Sequence, residues 1–281
     1  MKNLFDTISH QSSVNITKSY STSFSIAVRL LAPSIRQAIY DIYGFVRVAD
    51  EIVDSFEGYP QEELLNRFEE EYTFSLLCGI STNPVINAFQ KTVKEYNIED
   101  CLVQAFLHSM RADLSKQVYT NQQEIEDYIY GSADVVGLMC LKVFVKGNDV
   151  EYNRLKESAM KLGSAFQKVN FLRDFKEDYD HLNRTYFPNI DPENLSTKEK
   201  NNIVKEIKED FKIARLGIKS LPNDARFGVY VAYKYYDQLL KKIDRTPAKV
   251  LKEKRISVSN SLKTYLLFRS YLSYNFNNIL S

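Results

Sequence analysis

The sequence predicts an all-α protein. Apolar residues recur about every 3.6 residues along nearly the whole chain, which is the period of an amphipathic helix. Only nine glycines and seven prolines interrupt 281 residues, and no segment has the alternating pattern of a half-buried strand. The apolar fraction of 44% is enough for a sizeable core, and no low-complexity linker or internal repeat divides the chain. We therefore expect one helical domain over residues 1–281.

The helices follow one another through short connections. Pro33 suits the first turn of the second helix, because its ring fixes a helical φ and its missing N–H is not needed there. Segment 184–192, RTYFPNIDP, is expected to be a loop because prolines cannot lie inside a helix. Asn223 is the expected N-cap of the following helix, with Asp224 in its first turn. In order, the predicted helices span about 12–31, 33–55, 60–77, 84–95, 99–113, 122–145, 149–180, 197–220, 224–243 and 258–277.

Charge and composition exclude several classes of function. The net charge is only +1, so no bulk positive field recruits nucleic acid, and we expect no nucleic-acid partner. The N-terminal segment lacks the apolar stretch of a secretory signal, and no run of about eighteen apolar residues could span a membrane. Scattered cysteines and histidines predict neither disulfides nor a zinc site, which fits a cytoplasmic protein: Cys78, Cys101, Cys140, His10, His108 and His181.

Two pairs of aspartates are the most informative feature of the chain. Asp50 and Asp54 lie four residues apart in VADEIVDSF, and Asp174 and Asp178 lie four apart in NFLRDFKEDYD. This spacing places both carboxylates of a pair on one helix face, where they repel each other unless a cation lies between them. Mg²⁺ prefers such oxygen ligands and commonly shares them with substrate phosphates. The two pairs therefore predict a metal site that binds a diphosphate.

Helical wheels extend each pair into a stripe. At about 100° per residue, one face of the 149–180 helix runs from small to acidic residues: Ala159, Gly163, Gln167, Asn170, Asp174 and Asp178. Large apolar residues of this helix point in other directions: Phe166, Val169, Leu172 and Phe175. The 33–55 helix has a matching stripe that ends in a cation and the acidic pair: Ile39, Tyr43, Arg47, Asp50 and Asp54. Matching stripes suit an amphipathic substrate with an anionic head and a hydrocarbon tail.

The alternative is that these acids form an ordinary solvated helix face, as we expect for 69–71, EEE. A solvated face is normally charged along its length, whereas both stripes become neutral or apolar away from the aspartates. This difference favours a cavity wall with a metal site at one end.

These motifs resemble the squalene and phytoene synthase family of head-to-head prenyl transferases. The resemblance covers most of the chain and rests on SYSTSFS at 19–25, IYGFVRVADEIVD at 42–54, YIYGSADVVG at 128–137, GSAFQKVNFLRDFKED at 163–178 and NRTYFP at 183–188. It implies a class I isoprenoid synthase fold, with a central cavity between helices that carry two aspartate-rich motifs. It also implies Mg²⁺, with Mn²⁺ as an alternative, bound by Asp50, Asp54, Asn170, Asp174 and Asp178.

The resemblance assigns further residues to the site. It implies that Arg47, Gln167 and Arg173 contact diphosphate or hold the ligands, and that Ser21, Thr22, Ser23 and Phe24 help to cover the substrate head. Tyr20 stands where many relatives have histidine. Tyr43, Tyr130 and Tyr235 match cavity tyrosines, with Tyr130 in a catalytic role; ordinary helix packing is the alternative for each. Arg184 and Tyr186 match a loop that closes over diphosphate; a plain helix-exit turn is the alternative.

The implied reaction joins two geranylgeranyl diphosphates into phytoene, through a cyclopropylcarbinyl diphosphate and without NADPH. It is the first step of carotenoid biosynthesis. The alternative is dehydrosqualene or squalene synthesis from two farnesyl diphosphates. A terpene cyclase would have an Asn/Ser/Glu metal triad in place of the second aspartate pair, and a non-enzymatic assembly factor would have lost the aspartates. We expect a monomer or weak dimer, with peripheral contact at the inner face of the cell membrane where an apolar product could leave.

Overall fold

The computed structural model describes residues 1–182, 184–188, 190, 194–259, 265–267 and 269–270. Within these residues the chain is helical, with a single isolated bridge between Val118 and Thr185 and no strand. None of the described helices is both long and apolar enough to cross a bilayer. The helices are α1 Lys2–Tyr20, α2 Thr22–Arg29, α3 Pro33–Asp54, α4 Gln61–Cys78, α5 Pro84–Glu95, α6 Asp100–Asp113, α7 Gln122–Ile129, α8 Val135–Phe144, α9 Asp149–Arg173, α10 Phe175–Leu182, α11 Thr197–Ser220, α12 Asn223–Arg245 and α13 Ala248–Leu251.

The two helices with the acidic motifs lie in the middle of the fold. α3 packs against α1, α5, α6 and α8, and α9 packs against α8, α11 and α12. On the side of α3 away from the acidic stripe, Phe45 is completely buried, and its ring stacks on Phe89 with 4.1 Å between centroids. Burial of such aromatic side chains contributes about 2–3 kcal/mol each to folding, so this side anchors the helix in the core. The opposite stripe is left free to face a cavity.

The first predicted helix is wrong at both ends. Residues 2–20 already form α1, and a break at Ser21 separates it from α2. Ser21 is extended at φ −143° and ψ 99°, and its hydroxyl accepts a hydrogen bond from the Phe24 N–H. Serine is a strong N-cap because its oxygen satisfies a free N–H of the first turn. The cap therefore starts a second helix, although the apolar periodicity alone predicts one continuous helix.

A π turn interrupts the helix predicted over 122–145. Tyr130–Asp134 form this turn, between α7 and α8. Gly131 lies against α6, where an added Cβ would come within 2.7 Å of the Ala105 carbonyl oxygen. Gly163 of α9 packs against the turn from the other side, where an added Cβ would lie 2.8 Å from the Ala133 carbonyl oxygen. Close backbone approach is therefore the reason for these glycines, and π turns are common at functional sites.

Buried Asp134 ends the π turn and makes the stability of the protein depend on pH. The Ser164 hydroxyl donates to Asp134 Oδ1 at 2.7 Å, and burial raises the pKa of Asp134 to about 7. Between its unfolded pKa near 3.8 and about 7, the folded state binds the proton more tightly, so stability falls as pH rises through this window. We expect Asp134→Asn, which stays neutral, to be about 1–3 kcal/mol more stable than wild type at pH 8 and nearly equal at pH 4.

Urea unfolding at the two pH values measures this difference. Ser164→Ala is the matched variant, because it removes the hydrogen bond to residue 134 but keeps the carboxyl group. Equal destabilisation by Asp134→Asn at both pH values would show that the carboxylate is not penalised by burial.

Several other predicted helix ends also differ from the structure. α9 ends at Arg173, and Asp174 is its C-cap at φ −99° and ψ 8°, so the acidic pair spans a break between α9 and α10. Asn223 is the first residue of α12 and Pro222 its N-cap, although Asp224 is in the first turn as predicted. Of the helix predicted over 258–277, residues 258–259 are not helical, 265–267 and 269–270 are helical, and the rest lies outside the described residues.

Candidate active site

An apolar cavity of about 300 Å³ lies between α2, α3, α8, α9, α11, α12 and the π turn. Its walls are almost entirely hydrocarbon. The polar residues in the walls are few: Tyr43, Ser132, Ser158, Gln167, Asn170 and Tyr236. The apolar wall includes Phe24, Val28, Leu31, Ile39, Ile42, Val46, Val136, Phe144, Leu155, Ala159, Leu162, Gly163 and Phe166. A cavity of this composition suits a hydrocarbon ligand.

Both predicted stripes form walls of this cavity. Ile39 and Tyr43 contribute from α3, and Ala159, Gly163, Gln167 and Asn170 contribute from α9. The prediction that Phe166 points elsewhere is wrong, because it lines the cavity too, whereas Val169 and Leu172 are fully buried in the core as expected. The α3 stripe continues beyond the cavity to Asp50 and Asp54 on the same helix, whereas the α9 stripe ends at Asp174, and Asp178 lies on α10.

An amide and phenol network marks the end of the cavity nearest the aspartates. Gln167 Nε2 donates to the Ser132 hydroxyl at 3.4 Å, and Asn170 Nδ2 donates to Gln167 Oε1 at 3.4 Å. The Tyr236 hydroxyl donates to Asn170 Oδ1 at 3.2 Å, and its ring stacks on Phe166 with 3.9 Å between centroids. These contacts fix the orientation of the Asn170 amide, which is a predicted metal ligand.

Tyr236 was missed by the sequence prediction, which chose its neighbour. Tyr235 is absent from the cavity wall and packs edge-on against Tyr236, with 5.6 Å between centroids. A usable signal existed in α12, where Gly228, Ala232 and Tyr236 follow at intervals of four and all line the cavity. This small-to-polar stripe has the same design as the one on α9.

Tyr130 is also placed wrongly by the sequence prediction. Its side chain is 37% exposed, and the cavity wall instead takes Ser132 and Ala133 from the same π turn. Residues two apart on a helix point about 200° from each other, so Tyr130 faces outward when Ser132 faces inward. A direct catalytic role for Tyr130 is not supported by this position.

The N-terminal motif closes one side of the cavity. Phe24 stacks on Tyr43 with 4.7 Å between ring centroids, and both line the cavity. Ser21 caps α2, while Thr22 is exposed and Ser23 half-buried in its first turn. Tyr20, on the far side of the Ser21 break, lies under the Arg47 guanidinium, which is 4.3 Å from its ring centroid. An aromatic ring here holds the cation of the first acidic motif.

Arginines pair with the aspartates of both motifs. Arg47 forms ion pairs with Asp50 and Glu51 on α3. Arg173 Nε donates to both carboxylate oxygens of Asp174, at 2.9 and 3.0 Å. Arg255, which follows α13, reaches the same carboxylate at 2.7 Å. Arg255 was missed by the sequence prediction, because a residue in an irregular segment has no periodic signal that places it near the site.

The loop after α10 joins the two motifs. Arg184 Nη1 donates to Asp54 Oδ1 at 2.8 Å, although 130 residues separate them in the chain. The matching tyrosine, Tyr186, is buried and stacks on Phe171 at 3.9 Å. The segment is therefore not a plain helix-exit turn. Its Arg184 brings a buried cation to the first acidic motif, and its Tyr186 anchors the segment in the core.

The carboxylates lie close enough to disturb one another. Burial, followed by the charge of Asp54, raises the pKa of Asp50. Burial and the charge of Asp174 raise the pKa of Asp178 to about 7, and Asp54 of the other motif contributes to that rise. Asp54 is also the last residue of α3, where the helix dipole is negative. Burial and mutual repulsion therefore make the charged forms of these carboxylates unfavourable, and a bound cation would stabilise them.

The described residues contain no group of three or more acidic, histidine or cysteine side chains arranged to hold a metal ion. Asp50, Asp54 and Asp174 are instead paired with arginines. The oxygen donors and their mutual repulsion nevertheless fit a hard divalent cation, since such an ion would relieve the raised pKa values of Asp50 and Asp178.

Comparison with known proteins decides the family. The family described as squalene/phytoene synthase matches residues 17–261. The chain belongs to the squalene/phytoene synthase family. A phytoene synthase from Arthrospira platensis is 29% identical over 264 residues, which cover 85% of each chain. The match to a chloroplastic phytoene synthase from Zea mays is 28% identical over 249 residues, covering 82% of this chain and only 60% of that longer protein.

Other members of the squalene/phytoene synthase family show the breadth of the resemblance. A 4,4'-diapophytoene synthase from Staphylococcus haemolyticus is 28% identical over 177 residues, 61% of this chain and 59% of that one. A crystal structure of a dehydrosqualene synthase in complex with ligand has a TM-score of 0.80 at 20% identity, covering 96% of this chain and 98% of the other. The predicted all-α isoprenoid synthase fold is confirmed, and membership of this family makes the chain a prenyltransferase.

Proposed function

We propose that this prenyltransferase condenses two geranylgeranyl diphosphates head to head into phytoene, through a cyclopropylcarbinyl diphosphate and without NADPH. The observation that carries the proposal is an apolar cavity whose α3 and α9 walls continue directly into two acidic motifs. This arrangement matches the two ends of a prenyl diphosphate. The relative that aligns over 85% of both chains is named a phytoene synthase, which supports this product.

Asp50, Asp54, Asn170, Asp174 and Asp178 are the residues that we propose hold Mg²⁺, or Mn²⁺ in its place. Bound there, the metal supplies positive charge that stabilises the departing diphosphate. Arg47 and Arg173 already lie against Asp50 and Asp174, so each could turn from its carboxylate to a phosphate oxygen. Gln167 orients the Asn170 amide through their hydrogen bond. This division of work resembles the support that neighbouring groups give to metal ligands elsewhere.

The rest of the cavity protects and shapes the allylic cation. Its hydrocarbon wall excludes water, which would otherwise capture the cation as an alcohol. The rings of Tyr43 and Tyr236 line the cavity nearest the acidic centre, and their π faces can stabilise positive charge. No side chain in the wall is a convincing general base, so we assign the final proton to the released diphosphate.

The alternative is the use of two farnesyl diphosphates to give dehydrosqualene or squalene. It is favoured by the similarity to a 4,4'-diapophytoene synthase over 61% of this chain. Both reactions need the same acidic centre, and they differ in the length of tail that the cavity accepts.

A product assay separates these alternatives. Purified protein is incubated with Mg²⁺ and either geranylgeranyl or farnesyl diphosphate, with and without NADPH, and the hydrocarbon is identified by mass spectrometry. We expect phytoene from geranylgeranyl diphosphate in both the presence and the absence of NADPH. A hydrocarbon from farnesyl diphosphate alone would reject the geranylgeranyl substrate, and squalene formed only with NADPH would reject the cofactor prediction.

The setting of the reaction is part of the proposal. We propose a cytoplasmic monomer or weak dimer without a nucleic-acid partner, which contacts the inner face of the membrane to release its product. Co-sedimentation with lipid vesicles, with and without turnover, tests the membrane contact.

A further inference from the structure

Arg184 lies between two carboxylates, only one of which belongs to the acidic motifs. Its side chain is 6% exposed. Nη1 is 2.8 Å from Asp54 Oδ1 and 3.9 Å from Oδ1 of Asp113, the last residue of α6. Nη2 donates to the backbone oxygen of Asp113 at 2.9 Å. The guanidinium is therefore already attached to Asp113 through the backbone and needs little movement to reach its side chain.

Asp113 has a buried oxygen that is not used. The Tyr128 hydroxyl donates to Asp113 Oδ2 at 3.0 Å, which fixes the direction of the carboxylate. Oδ1 is inaccessible to solvent and accepts no hydrogen bond from any residue that the structure describes. Buried carboxylate oxygens without a donor are rare and costly, so this one needs an explanation. The proposed reaction does not supply it, because Asp113 does not line the cavity.

Asp54 has two competing partners if the proposed function is correct, and the inference rests on that function. In the structure Asp54 accepts from Arg184, whereas as a metal ligand it would have to give up that contact. A buried guanidinium released from the carboxylate to which it is hydrogen-bonded would then need another carboxylate to move into contact with it.

We propose that Asp113 is a positioning residue that receives Arg184 when Asp54 turns to the metal ion. A movement of Nη1 by about 1 Å would bring Asp113 Oδ1 to hydrogen-bond distance. The buried charge of Arg184 stays paired throughout, and Asp54 becomes available. Asp113 thus acts on the metal site through Arg184, without touching metal or substrate.

Metal binding by the Asp113→Asn variant tests this role. Asparagine keeps the shape and the acceptor for Tyr128 but removes the charge that receives Arg184. Mn²⁺ binding to the full-length protein is measured by electron paramagnetic resonance without substrate, and the Mg²⁺ dependence of turnover is measured separately. We expect Mn²⁺ affinity to fall about 10–100-fold and half-maximal Mg²⁺ to rise by a similar factor, with kcat at saturating Mg²⁺ close to that of wild type.

A second background shows whether the effect passes through Arg184. In Arg184→Gln no cation competes for Asp54, so adding Asp113→Asn to it should leave Mn²⁺ affinity unchanged. This comparison is informative even if the single Asp113→Asn variant folds poorly, because the double variant has neither buried charge. Equal losses from Asp113→Asn in both backgrounds would overturn the positioning role.

Asp210→Asn is the matched control. Asp210 is 5% exposed and paired with Lys168 at 2.8 Å, so it is another buried, cation-paired carboxylate, on α11 and outside the acidic centre. Its loss should leave Mn²⁺ affinity unchanged. Unchanged Mn²⁺ affinity in Asp113→Asn, with normal binding by wild type, would reject only the positioning role. Absence of Mn²⁺ binding by wild type would reject the proposed metal site and this inference together.

Discussion

Asp50→Ala and Asp174→Ala are each expected to lower turnover by about a hundredfold to a thousandfold or more. The two residues come from different helices, but both carboxylates are proposed to hold the charge that stabilises departing diphosphate. The reason for a large effect is that an allylic C–O bond ionises slowly unless negative charge on the leaving group is neutralised. Steady-state hydrocarbon formation at saturating Mg²⁺ measures the loss.

The Asp50→Ala variant should fold at least as well as wild type. Burial and repulsion by Asp54 raise the pKa of Asp50, which means that its charged form destabilises the folded protein. Removing that carboxylate relieves repulsion, so we expect an unchanged or higher Tm together with lost activity, as is common where function requires strain. Circular dichroism with thermal melting checks this outcome.

Glu63→Ala is the control for removal of an acidic residue. Glu63 is exposed on α4 and pairs with Arg67 at 2.7 Å, outside the acidic centre. Its turnover should match that of wild type. Wild-type turnover in either aspartate variant would remove the metal hypothesis, and a large drop in the Tm of Asp50→Ala would instead point to a structural role for Asp50.

Helices with strong local end signals could be predicted from the sequence. The helix over 84–95 agrees with the structure at both ends, and so does 197–220. Asn83 caps the first by accepting from the N–H groups of Val85 and Ile86, and Ser196 forms a capping box with Glu199 for the second. Such ends are set by residues adjacent in sequence, which is why pattern reading succeeds there.

Breaks inside continuous apolar patterns could not be predicted in this way. The period of 3.6 passes through Ser21 and Asp174 without interruption, yet the backbone leaves the helix at both. At Asp174 the carboxylate is pulled by Arg173 beside it and by Arg255, which is 81 positions further along the chain. Tertiary contacts of this kind override local preference.

The residues of the candidate site likewise separate into those that helical periodicity predicts and those that depend on tertiary contacts. The two stripes follow from helical geometry, so Tyr43, Gln167 and Asn170 were placed correctly on the cavity wall. The contact of Arg184 with Asp54 joins residues far apart in the chain, and only the family resemblance indicated that its loop approaches the site. Asp113 has no periodic or motif signal at all, because its importance depends on a loop that packs against the end of α6.

Enlarging Ala159 is expected to change which substrate is accepted. Ala159 lines the cavity on α9, and its wall position leaves space for the prenyl tail. In the series Ala159→Val, Ala159→Leu and Ala159→Phe, each added carbon group takes volume from a cavity of about 300 Å³. We expect phytoene formation from geranylgeranyl diphosphate to fall progressively, by at least about tenfold for the phenylalanine variant, since misplacing a reacting group by 1 Å can lower a rate about a hundredfold.

Farnesyl diphosphate provides the internal comparison for this series. A shorter tail leaves the deep part of the cavity empty, so its use should fall less than that of geranylgeranyl diphosphate, and the ratio of the two kcat/KM values should move toward farnesyl diphosphate. Ala159→Ser is the matched control, because it keeps the volume nearly constant and should preserve the wild-type ratio. Equal losses with both substrates would mean that Ala159 packs α9 without limiting tail length. A shift of the kcat/KM ratio toward farnesyl diphosphate would show that the acidic motifs determine the reaction while the small residues behind them determine the substrate.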